Sequence, residues 1–181
     1  MRRQSPPVVF IHGFKGCHLR HRATNKKHWL TAGQALSLSN PGIALPLDWR
    51  KQRQLMDALE PDEPLGKVLH VPFYGPLMDW CSKRGAAFYP FSYDWRRDNS
   101  ETLEQFIEFL REVTARHEGQ GAQVIGHSNG GLISYGALLR EAGLFHSVIF
   151  AATPFGGGLG MLEDLQLGTR TGLNTRIAGP D

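Results

Sequence analysis

The sequence predicts an α/β domain built on a mostly parallel sheet flanked by helices. Three observations carry that expectation: short apolar runs rich in β-branched residues, helical apolar spacing between them, and a glycine-flanked serine where one run gives way to a helix. The first run, Val8-Val9-Phe10-Ile11, is bounded by Pro7 and His12-Gly13, and its lack of polar alternation suits a strand buried on both faces. Two more follow, Gln123-Val124-Ile125 ending at Gly126 and Ser147-Val148-Ile149-Phe150-Ala151 ending at Thr153-Pro154. Between them Leu132, Tyr135, Gly136 and Leu139 fall at i, i+3, i+4 and i+7, which predicts a helix with that apolar face and Gly143 as its stop. A strand, a helix and a parallel strand form a βαβ unit. Earlier, Leu103, Phe106, Ile107, Leu110 and Val113 repeat the helical spacing, with Asn99 or Ser100 as N-cap and Gly119 as stop. Residues 88–93 read as a further strand, short or at an edge because Pro90 cannot donate to a ladder.

Residues 15–85 are harder to read. They hold a helical stretch from about Trp29 to Leu38, alternating Ile43, Leu45, Leu47 and Trp49, and several prolines, and they are too long for an ordinary crossover. The expectation is one α/β domain over residues 1–181, with this insertion shaping the substrate entrance. The alternative is an excursion with no such role.

Composition narrows the class. A hydrophobic content of 41% over 181 residues supports one packed core and argues against disorder or a membrane protein. A formal net charge of +3 is too small to point to nucleic acid. Two cysteines, Cys17 and Cys81, exclude a disulfide framework, and free thiols are the simpler reading. The apolar run at residues 8–11 is too brief for a signal-peptide core or a membrane span, so a cytoplasmic location is the default expectation.

The motif with chemical content is Gly126-His127-Ser128-Asn129-Gly130. In a chain with 21 glycines, Gly-x-Ser-x-Gly alone means little, but this copy follows a buried strand and opens a helix. Such a turn is sharp, forces the serine into a strained backbone conformation, and leaves no room for side chains on its neighbours. The gain is a bare hydroxyl at the C-terminal edge of the sheet, next to a helix N-terminus, with the Asn129 backbone N–H free to meet a developing anion. Ser128 is therefore the candidate nucleophile of an acyl-transfer site. The second oxyanion donor is expected from the loop after an earlier central strand, and His12-Gly13-Phe14 supplies it with the Phe14 N–H as candidate. Losing either donor costs about 3 kcal/mol of transition-state stabilisation.

Val9-Phe10-Ile11-His12-Gly13-Phe14, Tyr93-Asp94-Trp95-Arg96, Gly126-His127-Ser128-Asn129-Gly130-Gly131 and Ala152-Thr153-Pro154-Phe155-Gly156-Gly157 occur in this order. Together they resemble the lecithin:cholesterol acyltransferase and phospholipid:diacylglycerol acyltransferase family of α/β-hydrolases. The resemblance implies an α/β-hydrolase fold, an acyl-enzyme on Ser128, lipid-like ester substrates, and water or an alcohol as acceptor, without choosing between acceptors. For the Tyr-Asp-Trp-Arg block two readings stay open: a strand end with an exposed Asp-Arg pair and a packed tryptophan, or pocket lining.

A serine hydroxyl needs a histidine base and an orienting carboxylate, which on this fold follow the serine in chain order. After Ser128 the sole histidine is His146, which precedes a strand running toward the active edge and so falls at the opposite end of the sheet. Asp164 and Asp181 are the remaining candidate acids. The expectation is a C-terminally truncated hydrolase, with acid and base beyond Asp181; the opposing reading is a non-catalytic or lipid-binding relative. His12, His18, His21 and His28 fit no compact metal-ligand spacing, so neither metal nor other cofactor is expected. Lys15, Arg20, Arg22, Lys26 and Lys27 read as a solvated loop, with contact to an anionic phospholipid surface as the alternative. The expected partners are thus a lipid or other ester and at most a membrane surface, with no nucleic acid; the oligomeric state is open.

Overall fold

A computed structural model describes residues 5–36, 42–45, 47–48, 53–54 and 58–156. Along the chain run β1 (Val8–Ile11), β2 (Cys17–His21), β3 (Lys27–Trp29), α1 (Ala32–Ala35), β4 (Leu47–Asp48), β5 (Arg53–Gln54), β6 (Leu59–Pro64), β7 (Lys67–Val68), β8 (Val71–Pro72) and α2 (Gly75–Ser82). Then come β9 (Phe88–Phe91), α3 (Asn99–Arg116), β10 (Ala122–His127), α4 (Asn129–Arg140) and β11 (Phe145–Ala151).

Four of these strands form one parallel sheet in the order β11-β10-β1-β9. The apolar run of β1 sits at its centre, and Val9, Phe10 and Ile11 are fully buried, as a strand covered on both faces requires. Pro90 pairs with Phe10 from the edge strand β9, where its missing donor faces away from the ladder. Ile11 lies opposite both Gly126 and Phe91, and His127 lies opposite Ala151. This register brings the loops after all four strands out on one rim.

The cap of α3 lies one residue before Asn99 and two before Ser100, the two expected caps. Asp98 is the N-cap, its carboxylate accepting from the Ser100 N–H at 2.7 Å. Phe106, Ile107, Leu110 and Val113 are buried as the spacing predicts, and Gly119 takes the left-handed conformation, φ +81°, just past the helix end.

Helix α4 corrects the sequence reading. Of the expected face, Leu139 is 68% exposed and Tyr135 42%, while the buried residues are Gly130, Gly131, Ile133, Ser134 and Ala137. The small residues turn inward because the backbone itself comes down on the sheet: a Cβ on Gly130 would collide with the carbonyl oxygens of His12 and Ile11, and one on Gly131 with Thr153. At Gly136 an added Cβ would stand 3.2 Å from Leu103, so this glycine also lets α3 close on α4. The helix is capped at Glu141, before Gly143, which falls inside a single 3₁₀ turn at Ala142–Leu144.

The described part of residues 15–85 forms mainly short antiparallel strands. The expected helix shrinks to α1, whose Thr31 and Gln34 make a reciprocal capping box, while Trp29 belongs to β3. Strand β2 lies between β3 and β6, β4 pairs with β5, and β7 with β8. Trp49 and Leu38 lie outside the described residues. The expected basic loop is in part strand: Arg20 belongs to β2 and Lys27 to β3, and Glu60 on β6 pairs with Arg20 at 3.0 Å and Arg22 at 2.9 Å. Among the described residues no helix is long and apolar enough to cross a membrane.

Candidate active site

Ser128 stands between the last residue of β10 and the first of α4, with φ 53° and ψ −121°. A side-chain-bearing residue in this region of backbone space stores strain of order 1–3 kcal/mol. The turn is held from several sides. The Ser128 N–H donates to the Ala151 carbonyl at 2.9 Å and its carbonyl accepts from the Gly131 N–H at 2.9 Å. At Gly126 a Cβ would lie 2.8 Å from the Gly131 Cα and from the Ser134 hydroxyl, so a side chain there would force strand and helix apart.

The turn after β1 meets this bend directly. A Cβ on Gly13 would come within 2.8 Å of the Ser128 Cβ and 2.9 Å of the His127 Nδ1. Phe14, the next residue, is 58% exposed, and its ring packs edge-on against Trp95 at 5.3 Å. Phe14, Ser128 and Asn129 therefore share one rim of the sheet.

Two tyrosines tie the turns together. The Tyr93 hydroxyl donates to the His12 carbonyl at 3.2 Å and accepts from the Asn129 side-chain amide at 3.0 Å. Asn129 also exchanges hydrogen bonds with the Asn99 amide, at 2.8 and 3.0 Å. Beneath them the His12 ring stacks on Tyr93 at 4.4 Å. Its Nδ1 lies 2.8 Å from the Gly13 carbonyl and so carries the proton, while Nε2 accepts from the Tyr93 N–H at 3.3 Å. Burial pushes the His12 pKa down from 6.5 to about 4, which keeps the ring neutral; the ring is structural, since both nitrogens are engaged. On the other side the Tyr74 hydroxyl accepts from the Gly13 N–H at 3.1 Å and bonds the His127 Nδ1 at 2.9 Å. Of these partners, Tyr93 was visible as part of a sequence block, whereas Tyr74 lies in the insertion with no local pattern to mark it.

The Tyr-Asp-Trp-Arg block is interior. Arg96 meets Asp94 through two parallel hydrogen bonds, 2.8 and 2.6 Å, with both side chains under a tenth exposed, which corrects the reading of an exposed pair. The Arg96 guanidinium also donates to the Ile43 carbonyl at 3.1 Å, and the Trp95 indole to the Cys17 carbonyl at 3.4 Å. This block fastens the insertion to the sheet rim. Cys17 is fully buried, its thiol directed at the Tyr93 carbonyl, and burial pushes its pKa up to about 12, so it is an inert packing group. Cys81 is likewise buried and free.

His146, near the start of β11, follows a residue paired with Ala122, at the end of the sheet away from Ser128. Among the described residues none makes a hydrogen bond to the Ser128 hydroxyl. Asp164 and Asp181 lie outside the described residues. A cleft of about 440 Å³ lined by Arg20, Glu60, Asp94, Arg97 and Glu101, among others, does not include Ser128, and its cations face carboxylates.

A parallel sheet flanked by helices, with a strained serine between strand and helix on its C-terminal rim, is the architecture of an α/β-hydrolase. A chain in the crystal structure of the Tle4-Tli4 complex shares this fold, with a TM-score of 0.52 at 15% identity over 91% of this chain and 48% of that one. The family model for lecithin:cholesterol acyltransferase matches residues 69–177, more than half of the sequence, and the chain belongs to that family. Among curated proteins it is similar to lecithin-cholesterol acyltransferase-like 4 of Arabidopsis thaliana, 29% identical over 76% of this chain and 27% of the relative. An uncharacterized protein of Saccharomyces cerevisiae is 24% identical over 81% of this chain and 23% of its own length. The chain thus spans about a quarter of the length of these relatives.

Proposed function

We propose that this chain carries the nucleophile and the oxyanion hole of a serine esterase, lipase or O-acyltransferase that acts on lipid-like esters. The observation that carries the reading is the Ser128 backbone, at φ 53° and ψ −121° between β10 and α4, pressed against the Gly13 turn. In the reaction the Ser128 oxygen attacks the ester carbonyl carbon as its proton passes to a histidine base. The carbonyl oxygen becomes an anion between the Phe14 and Asn129 backbone N–H groups. Collapse of this intermediate expels the alcohol, which takes the proton back from the base and leaves the acyl group on Ser128. Water or a second alcohol then releases it by the same steps in reverse order. Neither His12, buried with both nitrogens engaged, nor His146, at the far end of the sheet, is placed to serve as that base.

Family membership supports a lipid ester as the substrate class. The insertion adds apolar surface next to the site: Val71 and Phe73 are more than half exposed on the segment that leads into Tyr74, itself bonded to Gly13. Residues 15–85 are accordingly assigned to the substrate entrance of a single domain, and this surface to contact with a lipid interface.

A fluorophosphonate probe tests the reading. It predicts covalent labelling at Ser128, located by peptide mass spectrometry and abolished in Ser128→Ala. A folded protein that stays unlabelled supports the alternative, a non-catalytic lipid-binding relative, for which the favouring observation is that no described residue hydrogen-bonds the Ser128 hydroxyl.

A further inference from the structure

We propose that Tyr74 is a positioning residue for the oxyanion hole, its phenol bridging the Gly13 amide and the His127 ring so that the two turns on either side of Ser128 keep a fixed separation. The inference rests on the acyl-transfer reading of Ser128 and adds to it a residue from the insertion.

The phenol oxygen accepts the Gly13 N–H at 3.1 Å and shares a second hydrogen bond with the His127 Nδ1 at 2.9 Å, whose direction follows the imidazole tautomer. Gly13 immediately precedes Phe14, and His127 immediately precedes Ser128, so each end of the bridge is one residue from an atom assigned to the chemistry. The ring has little freedom to drift. It packs tilted on Phe10 at 4.9 Å and edge-on to His127 at 5.5 Å, and Tyr74 itself is the N-cap of α2, with its carbonyl accepting from the Met78 N–H at 2.9 Å. Its own N–H donates to the Leu65 carbonyl at 2.9 Å, which ties the same residue to the end of the β6 segment.

The second staple, through Tyr93, joins the His12 carbonyl to the Asn129 side chain. Tyr93 comes from the sheet rim, whereas Tyr74 comes from residues 15–85. The insertion therefore has a direct hand on the amide next to the oxyanion donor, and a shift of α2 would be felt as a shift of the Phe14 N–H. An oxyanion hole works because its donors are already in place when charge develops, and a displacement of about 1 Å costs up to about 100-fold in rate.

Tyr74→Phe in the full chain is the test, because it keeps the ring against Phe10 and removes only the oxygen. Three quantities are read: the rate of fluorophosphonate labelling at Ser128, kcat and KM for a p-nitrophenyl ester per titrated serine, and hydrogen exchange at the Gly13 amide. The proposal predicts labelling and kcat both lowered by about 10- to 100-fold, KM within about twofold, and faster exchange at Gly13. Titrating the serine removes any change in folded fraction, and a loss confined to KM contradicts a positioning role. If wild type is labelled and Tyr74→Phe matches it in rate, or if Gly13 exchange does not change, the proposal is overturned while the reading of Ser128 stands. If wild type itself is not labelled, both fall together.

Discussion

The two regions that meet at Gly13 are held together by different physics. Along the rim of the parallel sheet, contact is backbone on backbone: Gly13, Gly126, Gly130 and Gly131 allow approaches that no side chain permits, and the strained Ser128 is fixed among them. In the described part of residues 15–85 the chain is joined by short antiparallel ladders, proline-bearing strands and ion pairs such as Arg22 with Glu60. The first kind of packing tolerates almost no change, whereas the second has slack. Position along the rim, rather than hydrophobicity, decides how costly a substitution is.

The largest effect is expected at Gly130→Ala. A methyl there meets the His12 and Ile11 carbonyls, both in fixed backbone, so α4 must lift from β1. A loss of about 5 kcal/mol, in the range reserved for core overpacking and strain, is expected by chemical denaturation, together with loss of probe labelling. A variant as stable as wild type would break the contrast at its stronger side.

Next comes the joint between the regions. Arg96→Met leaves Asp94 buried without its partner and frees the Ile43 carbonyl, at an expected cost of about 3–5 kcal/mol. Asp94→Asn with Arg96→Met removes both charges and should recover part of the loss, which a double-mutant cycle measures.

Smaller again is a pH effect from His12. Its pKa is about 4 in the folded chain against 6.5 for the free ring, with burial as the main cause, so the unfolded chain takes up the proton more readily between those values. Stability from this group is complete above pH 6.5 and is lost as pH falls through 4, by about 3 kcal/mol in all. An NMR titration of His12 with a midpoint near 4 bears this out; one near 6.5 contradicts the buried neutral ring. The smallest effect is expected in the insertion, where Arg22→Ala breaks a partly exposed pair with Glu60 and should change stability by less than about 1 kcal/mol.

The same contrast explains what the sequence made legible. The parallel strands could be read because an apolar, β-branched run bounded by glycine or proline has one common use, and the serine bend could be read because its glycines have a steric purpose. The buried face of α4 was misread because counting bulky residues overlooks glycine, serine and alanine, and here those are what lie closest to the sheet. Strand β11 shows the same limit from the other side: its apolar run resembles β1, yet Ile149 is 60% exposed, and among the described residues β11 stands at one end of the strand order. Within residues 15–85 the prolines and scattered charges carry no period, so the antiparallel strands left little trace. The burial of Asp94 and Arg96, and the bridge through Tyr74, depend on partners some 50 to 60 residues away and so have no local signature.

The most direct test of the account is a crystal structure of the full chain after phosphonylation. It predicts a phosphorus bonded to the Ser128 oxygen and a phosphonyl oxygen about 2.7–3.1 Å from both the Phe14 and the Asn129 backbone nitrogens. A phosphonate attached to another residue, or one on Ser128 with its oxygen turned away from both amides, would contradict it.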